Sequence, residues 1–176
     1  MARRLILRFR DLVTEPGATI AEHRTIWRTY GEVWWGWWKR NREISPVKLF
    51  AELREEIDAS SDKAIKGYLF DTDQNLLFSC RIADIKVAPI GAKIPAPDPR
   101  KTPEYYHRAP YAAWFLLRSL EDQGFEELRL YFDAFPTRPD LQSTLDALVR
   151  QPIAELDQLR NTDATLWVVQ EIEGLR

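Results

Sequence analysis

The chain has 176 residues, of which 45% are hydrophobic and 30% are charged, a composition typical of one globular domain and not of a disordered chain. Its single cysteine, Cys80, excludes an internal disulfide and a zinc site of the multi-cysteine kind. No apolar run approaches the roughly 20 residues of a membrane span, and the N-terminal run is too short for a secretory signal. We therefore expect a cytoplasmic protein without a membrane partner.

Charge is distributed unevenly along the chain. Residues 1–42 carry nine Lys/Arg against four Asp/Glu, whereas residues 111–176 carry six against twelve. The basic end also holds most of the tryptophans. This combination favours an anionic ligand with planar groups, and ordinary surface charge is the alternative.

The N-terminal half predicts two strand–helix pairs followed by a hairpin. The first helix begins at a capping box, Thr19-x-x-Glu22, and stops before Gly31, while Ser45-Pro46 begins the second helix. An acidic turn over 71–75 joins the hairpin strands. The predicted elements are a strand over 5–13, a helix over 19–30, a strand over 32–40, a helix from 46, and strands over 64–70 and 76–85.

The C-terminal half begins with a predicted loop over 88–104, which contains five of the eleven prolines. Loops of this length are more often functional or disordered than plain connectors. Pro110 and Gly124 are placed to begin and end a helix. The elements predicted beyond the loop are a helix over 110–123, a strand over 127–133, a helix over 140–150, a helical turn within 153–160 and a strand over 164–172.

This order of elements favours a mixed α+β fold. Several strands are consecutive, which argues against a doubly wound parallel sheet. We predict a curved mixed β-sheet or a partly open pseudo-barrel flanked by helices. The expected organisation is a core over 1–87, the proline-rich loop over 88–104, and an extension over 105–176 packed on the same domain.

The segment Trp34-Trp35-Gly36-Trp37-Trp38 carries the strongest functional signal. In a strand, Trp35 and Trp37 point to one face while Trp34 and Trp38 point to the other. Gly36 removes the side chain between Trp34 and Trp38, which predicts a slot with aromatic walls that a nucleobase could enter. Core packing is the alternative, because indoles are strong core builders.

Basic side chains follow the tryptophans directly. Lys39 and Arg40, together with Asn41 and Arg42, are expected beside the slot, where they could bind phosphates. Three further arginines could extend this basic rim, namely Arg4, Arg8 and Arg10. A solvated strand end is the alternative interpretation.

Two further places are candidates for ligand contact. His23 lies on the apolar face of the first helix and could bind the edge of a ligand, or it could be a core histidine bonded to backbone. Tyr105 and Tyr106 follow the proline-rich loop, beside His107 and Arg108, and could form a lid or anchor the loop to the core.

Catalytic patterns are scarce. The two histidines, His23 and His107, stand in no metal-ligand spacing, and the chain has no nucleophile elbow, P-loop or dinucleotide-binding glycine motif. A metal-dependent hydrolase would have to use the acidic hairpin residues Asp71, Asp73 and Asp84. We expect a binding module with no cofactor and no metal, and no enzymatic activity.

The element order resembles that of PUA-like domains, the superfamily that includes the EVE, YTH and ASCH groups. The resemblance rests on the strand, the helix, the Gly31-Glu32-Val33-Trp34-Trp35-Gly36 strand and the hairpin of 66–70 with 77–85, within residues 3–90. It implies a small curved β pseudo-barrel that binds RNA or modified DNA bases in a pocket with aromatic walls. The implied wall residues are Trp34, Trp35, Trp37 and Trp38, followed by His23 and Lys39.

Trp-Trp-Gly-Trp-Trp segments also resemble those of PUA-like domains that precede calcineurin-like phosphoesterases. The metal motifs of those enzymes do not occur in this sequence. The resemblance therefore implies a recognition domain with a fused or associated effector, and a role in prokaryotic defence. The sequence leaves a nucleic-acid or nucleotide ligand as the favoured partner, with a protein–protein interaction domain or a regulatory domain of a larger enzyme as alternatives.

Overall fold

The computed structural model describes residues 1–11 and 15–174, which form eight strands and four α-helices. The strands are β1 (Ala2–Phe9), β2 (Val33–Gly36), β3 (Ile65–Asp71), β4 (Leu76–Val87), β5 (Ala113–Gln123), β6 (Leu130–Ala134), β7 (Pro152–Ile153) and β8 (Leu166–Glu171). The helices are α1 (Ala18–Tyr30), α2 (Val47–Ala59), α3 (Gln142–Leu145) and α4 (Asp157–Arg160). Short 3₁₀ turns cover 99–101, 104–106, 125–127 and 139–141.

All eight strands form one open sheet in the order β2-β5-β4-β3-β1-β8-β6-β7. β1 runs parallel to β3, and every other neighbouring pair is antiparallel. This confirms the predicted α+β class with a mixed sheet. Because β5 and β8 come from beyond the proline-rich loop, strands from both sides of that loop share the sheet. The predicted boundaries at 87 and 105 stay predictions.

Helices cover both faces of the sheet. One core lies between the sheet and the two long helices, with Ile20, Phe50 and Leu53 among its members. A second core lies on the other face, where Leu145 and Leu159 of the short helices pack against Trp167. Within residues 1–11 and 15–174, no helix is both long and apolar enough to cross a membrane.

The first strand and the hairpin follow the prediction closely. Leu5, Leu7 and Phe9 face the first core, while Ile6 is buried in the second, because β1 lies inside the sheet and both its faces are covered. The predicted continuation of this strand over 12–13 lies outside the described residues. The hairpin pairs β3 with β4 around the acidic turn, from Ile65 opposite Ile82 to Asp71 opposite Leu76.

The prediction of a helix over 110–123 is wrong, because this segment is strand β5. It lies between β2 and β4, with Trp34 opposite Leu116 and Lys86 opposite Trp114. Since both faces of β5 are covered, its apolar residues run without alternation through 112–117. Such a run does not distinguish a buried strand from a buried helix, and Pro110 and Gly124 then favoured the wrong choice.

The helix ends also differ from the prediction. Thr19 does not cap α1. Gly17 occupies the N-cap position, and the Asp11 carboxylate accepts hydrogen bonds from the backbone N–H groups of Gly17 and Thr19. Gly31 ends α1 in the left-handed conformation, as predicted. α2 begins one residue later than expected, with Pro46 at its N-cap.

The later elements are shorter than predicted. The helix expected over 140–150 consists of a 3₁₀ turn and the four residues of α3. The helical turn expected within 153–160 is α4, and the last strand is β8, within the predicted 164–172. Residues 88–104 form the predicted loop, with one 3₁₀ turn and a single bridge between Ile94 and Tyr111.

Candidate functional site

The tryptophan segment divides between core and surface. Its side chains alternate as predicted: Trp35 and Trp37 lie in the first core, and Trp34 packs on the opposite face in a third cluster with Tyr106 and Trp114. The strand itself ends at Gly36 and does not extend to Arg40. Trp34, Trp35 and Trp37 are buried, whereas the side chain of Trp38 is 38% exposed.

The prediction of an open slot over Gly36 is wrong, because the ring of Tyr111 fills it. A Cβ placed on Gly36 would lie 2.9 Å from Cδ2 of Tyr111. The Tyr111 ring stacks beside Trp38 with an interplanar angle of 25°, and the Trp38 indole N–H donates to the Tyr111 hydroxyl over 3.1 Å. Glycine does make room for a flat ring, as the sequence indicated, but the ring belongs to the chain itself.

Trp38 and Tyr111 line a surface cleft of about 340 Å³, which lies within the size range of small-ligand pockets. This surface, called the aromatic cleft below, has basic and amide side chains beside its aromatic rings. The cleft is lined by Trp37, Trp38, Lys39, Arg40, Asn41, Lys93, Ala109, Pro110, Tyr111 and Ala112.

A second cleft of about 390 Å³ adjoins the aromatic cleft and shares Lys39, Lys93 and Ala112 with it. Its walls are mostly apolar. They include Ile90 and Ile44, whose side chains are 83% and 52% exposed. The two clefts therefore form a continuous surface with Lys39 and Lys93 at the junction.

A buried carboxylate fixes the segment that carries the cleft residues. Glu43 accepts hydrogen bonds from the backbone N–H groups of Arg40 and Thr165 and from the hydroxyls of Thr137 and Thr165. The Trp37 indole donates to the Thr165 hydroxyl over 3.0 Å. Four donors satisfy the Glu43 carboxylate, so the turn after Trp38 is held firmly against the start of β8.

Most of the arginines expected to form a basic rim are paired with acidic residues. Arg4 forms ion pairs with Glu171 and Glu173, which lie in and just after β8. Arg10 pairs with Asp73. Arg40 lines the aromatic cleft, as predicted, and also pairs with Asp163. Part of the uneven charge along the sequence is thus neutralised within the fold, because basic N-terminal residues meet acidic C-terminal ones.

His23 is fully buried and packs against Trp35, with their ring centroids 4.4 Å apart. Its Nδ1 hydrogen-bonds to the Thr19 carbonyl over 2.7 Å. Burial lowers the pKa of His23 to about 4, although hydrogen bonds to the backbone of Thr19 and Trp34 oppose that shift. His23 is therefore a neutral core residue at physiological pH. It is not among the residues that line the aromatic cleft.

Tyr105 and Tyr106 anchor the proline-rich loop and do not form an open lid. Tyr106 is buried and makes edge-on contacts with Tyr111 and Trp114, with ring centroids 5.1 and 5.7 Å apart. The Tyr105 hydroxyl lies 3.3 Å from Nδ1 of His23. Burial raises the pKa values of both phenols above their usual range. The loop end is thus tied to the back of the Trp34 strand.

The acidic residues that a metal-dependent hydrolase would have to use do not all lie together. Asp84 lies eight residues beyond Leu76 along β4, roughly 25 Å away at about 3.3 Å per residue. Asp71 and Asp73 instead approach Asp11. Backbone N–H groups hydrogen-bond to all three carboxylates, which makes this group a turn and a helix cap.

Cys80 is buried, and burial raises the pKa of its thiol to about 12. The protonated thiol is therefore the form present at neutral pH. Cys80 is thus a small core residue.

The family model that matches this chain covers residues 5–174 and is described as Pua-like. The chain belongs to the Pua-like family. The match extends well beyond the predicted resemblance over 3–90 and includes the proline-rich loop and all strands after it. No curated protein and no solved structure matches this Pua-like chain.

Sequence reasoning missed half of the aromatic cleft. Lys93 and Tyr111 reach it from the far side of the sequence, because the bridge between Ile94 and Tyr111 brings the proline-rich loop to the start of β5. The one available signal was the Tyr-Tyr-His-Arg-Ala-Pro-Tyr run, in which Tyr111 was assigned to a helix. A strand assignment for 113–123 would have removed Tyr111 from a helix, but its place beside Gly36 depends on the pairing of β5 with β2.

Proposed function

We propose that this Pua-like chain is a nucleic-acid recognition module that binds a base in the aromatic cleft. The exposed surface of Trp38 would stack on the base, and neighbouring polar and basic groups would contact its edge and its phosphate. This chain would bind its ligand without changing it chemically. A fused or associated effector would supply any catalytic activity.

The single observation that carries the proposal is the position of Trp38. Three of the four clustered indoles are buried, and the fourth is 38% exposed in a cleft of ligand size. The exposed part of the Trp38 indole leaves apolar aromatic surface in contact with water. Because this surface lies in a cleft, it favours a ligand role. Every base has a π-face, and stacking on an aromatic side chain contributes about 1–3 kcal/mol per base.

The polar groups of the cleft suit a nucleotide. The Asn41 amide has both donors and an acceptor, which the edge of a base requires. Lys39 and Lys93 carry positive charge at the rim, where a phosphate would lie. Membership of the Pua-like family supports recognition of nucleic acid or of a modified base. Which base enters, and a role in defence, stay predictions.

The test is a fluorescence titration of the wild-type protein with mononucleotides and short single-stranded oligonucleotides. We expect quenching, because a stacked base contacts the exposed indole of Trp38. Trp38→Ala should weaken binding by about 5- to 150-fold, the equivalent of one lost stacking contact. Tyr30→Ala removes another exposed aromatic ring on α1, away from the cleft, and should leave affinity unchanged.

Equal affinities for Trp38→Ala and Tyr30→Ala would contradict the proposal. So would the absence of any fluorescence change or mobility shift with ribo- and deoxyribo-oligonucleotides, including ones with modified bases.

A second candidate function is protein binding through the apolar cleft beside the first. The exposure of Ile90 and Ile44 favours it, because apolar side chains at the centre of an interface are buried by a partner. Ile90→Asp should then abolish an oligomer or complex seen by size-exclusion chromatography. If the protein is a strict monomer with and without Ile90→Asp, and both forms bind nucleotides, the protein-binding function is ruled out and nucleic-acid recognition is the remaining candidate.

A further inference from the structure

Arg8 differs from the other arginines of the fold. Among residues 1–11 and 15–174, every other arginine that is not exposed to solvent forms an ion pair with a carboxylate, as Arg4 does with Glu171. Arg8 lies near the end of β1, is partly buried, and forms no ion pair within the described part of the chain. A partly buried cation without a counter-charge has a desolvation cost that nothing local offsets.

The hydrogen bonds of Arg8 are also incomplete. Its Nη1 donates to the Thr162 carbonyl over a long 3.4 Å, and its Nε is buried without an acceptor. The Nε of Arg160 is buried without an acceptor in the same way. Two buried guanidinium N–H groups therefore lack an acceptor among the described residues, which is uncommon in a folded protein.

Like charges surround Arg8. Burial lowers the pKa of Arg8, and the positive charges of Arg40, Arg10 and Arg160 lower it further. The guanidinium stays protonated at any physiological pH, so the repulsion remains. The attraction of Asp163 opposes it only in part, since Asp163 already pairs with Arg40 and Arg138. The arginines around Arg8 therefore outnumber the carboxylates near them, and this excess positive charge favours the binding of an anion.

The neighbours of Arg8 can exchange their partners. The ion pairs of Arg10 with Asp73 and of Arg40 with Asp163 join partly exposed side chains. Arg160 pairs with Asp157 and also donates to the Thr72 carbonyl and to Asn75 Oδ1. Exposed pairs of this kind contribute little to stability, so an incoming anion can share or replace them at low cost.

A continuous surface joins this cluster to the aromatic cleft. Arg40 and Asn41 line that cleft and also an adjoining depression of about 320 Å³, together with Arg42 and Asp163. Asp163 follows Thr162, the residue whose carbonyl accepts from Arg8. A strand with one base on Trp38 that follows this depression would pass Arg40 and Arg42 and run toward Thr162, the residue that Arg8 contacts.

We propose that Arg8, with Arg10, Arg40 and Arg160 around it, binds a backbone phosphate of the strand whose base enters the aromatic cleft. This inference rests on the proposed function and adds that the ligand is a strand of several nucleotides. A single nucleotide would leave the arginine cluster empty.

The decisive probe is a single-stranded tetramer with tetrahydrofuran abasic sites, because it has phosphodiesters and no bases. We expect the wild type to bind it and Arg8→Gln to bind it about tenfold more weakly. In a plot of log affinity against log salt concentration, the slope should be smaller in magnitude by about one for the variant, since one phosphate contact is lost. Arg54→Gln removes an equal charge from exposed α2 and should change neither value.

The same variants separate this inference from the proposed function. If mononucleotides quench wild type and Arg8→Gln equally, and the abasic tetramer binds both equally, the phosphate site is wrong and the base cleft stands. If the abasic tetramer depends on Arg8 while no base quenches Trp38, the cleft is wrong and the phosphate site stands as a site for a backbone alone.

Two further measurements complete the test. Inorganic phosphate that saturates the arginine cluster at concentrations where the abasic tetramer does not bind would overturn the assignment to a nucleic-acid backbone. The thermal midpoint of Arg8→Gln should equal or exceed that of the wild type. The substitution removes an unpaired positive charge from a cluster of positive charges, which reduces their repulsion. A much lower midpoint would assign Arg8 a structural role instead and would also overturn the proposal.

Discussion

Two tryptophans stand on each side of Gly36, but the two pairs differ in how they are buried. On the N-terminal side, Trp34 and Trp35 lie in a strand and are buried on its two faces. On the C-terminal side, Trp37 turns inward while Trp38 lies on the surface against Tyr111. The indoles have equal hydrophobicity, so the difference arises from what the fold places beside each one.

This comparison shows why an aromatic-rich segment does not by itself identify a binding site. Where α1 covers one face of β2 and the cluster around Tyr106 covers the other, the indoles stabilise the core. Where the strand ends and the chain turns toward Glu43, one face loses its cover and an indole becomes available to a ligand. The end of the strand is therefore the informative position.

The largest expected effect is on stability, from Trp35→Ala. Trp35 is buried between Phe9 and His23, with ring centroids 5.0 and 4.4 Å away. Its removal leaves a cavity and should lower the free energy of unfolding by about 3–5 kcal/mol. Urea denaturation of the purified variant measures this. Trp38→Ala, on the exposed side, should cost less than about 1 kcal/mol, and similar costs for the two variants would remove the distinction between core and cleft indoles.

The next effect is a pH dependence that originates at His23. The folded pKa of about 4 lies below the usual 6.5, so the unfolded chain binds the proton more readily between these values. Stability is then fully present above about pH 6.5 and falls as the pH is lowered, by up to about 3 kcal/mol near pH 4. Denaturation at pH 7 and pH 4.5 should show this loss in the wild type.

The matched control for that measurement is His23→Gln, which keeps a polar side chain that does not titrate. Carboxylates titrate equally in both proteins, so the difference between their pH profiles isolates His23. Parallel profiles would show that His23 is already solvated in the folded state.

The smallest effect is expected at the boundary itself. Gly36→Ala places a methyl group 2.9 Å from the Tyr111 ring, which must shift, at a cost of about 1–3 kcal/mol. Because Tyr111 lines the aromatic cleft, nucleotide affinity should change in the same variant. Gly174→Ala has open space around it and is the control. Unchanged stability and affinity in Gly36→Ala would mean that Tyr111 is not held against the strand.

Much of the fold could be predicted because local patterns decided it. Residues close together in the sequence determine three of its features: the end of α1 at Gly31, the apolar face of α2 and the acidic turn of the hairpin. β5 could not be predicted in this way, because its strand partners β2 and β4 are distant in sequence and both of its faces are buried in the core clusters. Burial removed the alternation that identifies a strand.

The site was predictable only where it is continuous in sequence. Trp38, Lys39 and Arg40 follow one another and do lie in one cleft. The occupation of the Gly36 slot by Tyr111 depends on a contact between residues 36 and 111, and the sequence alone gives no sign of it. Likewise, the pairing of Arg4 with Glu171 depends on β1 and β8 being neighbours.

The place of β8 within the sheet has a consequence for how the protein is made. β1 leaves the ribosome well before β8, yet one of its two hydrogen-bonding sides pairs only with β8, with Ala2 opposite Glu171. Contacts of such long sequence separation form slowly. During synthesis the unpaired side of β1 and its arginines remain open to other molecules, so yield in cells should depend on chaperone capacity.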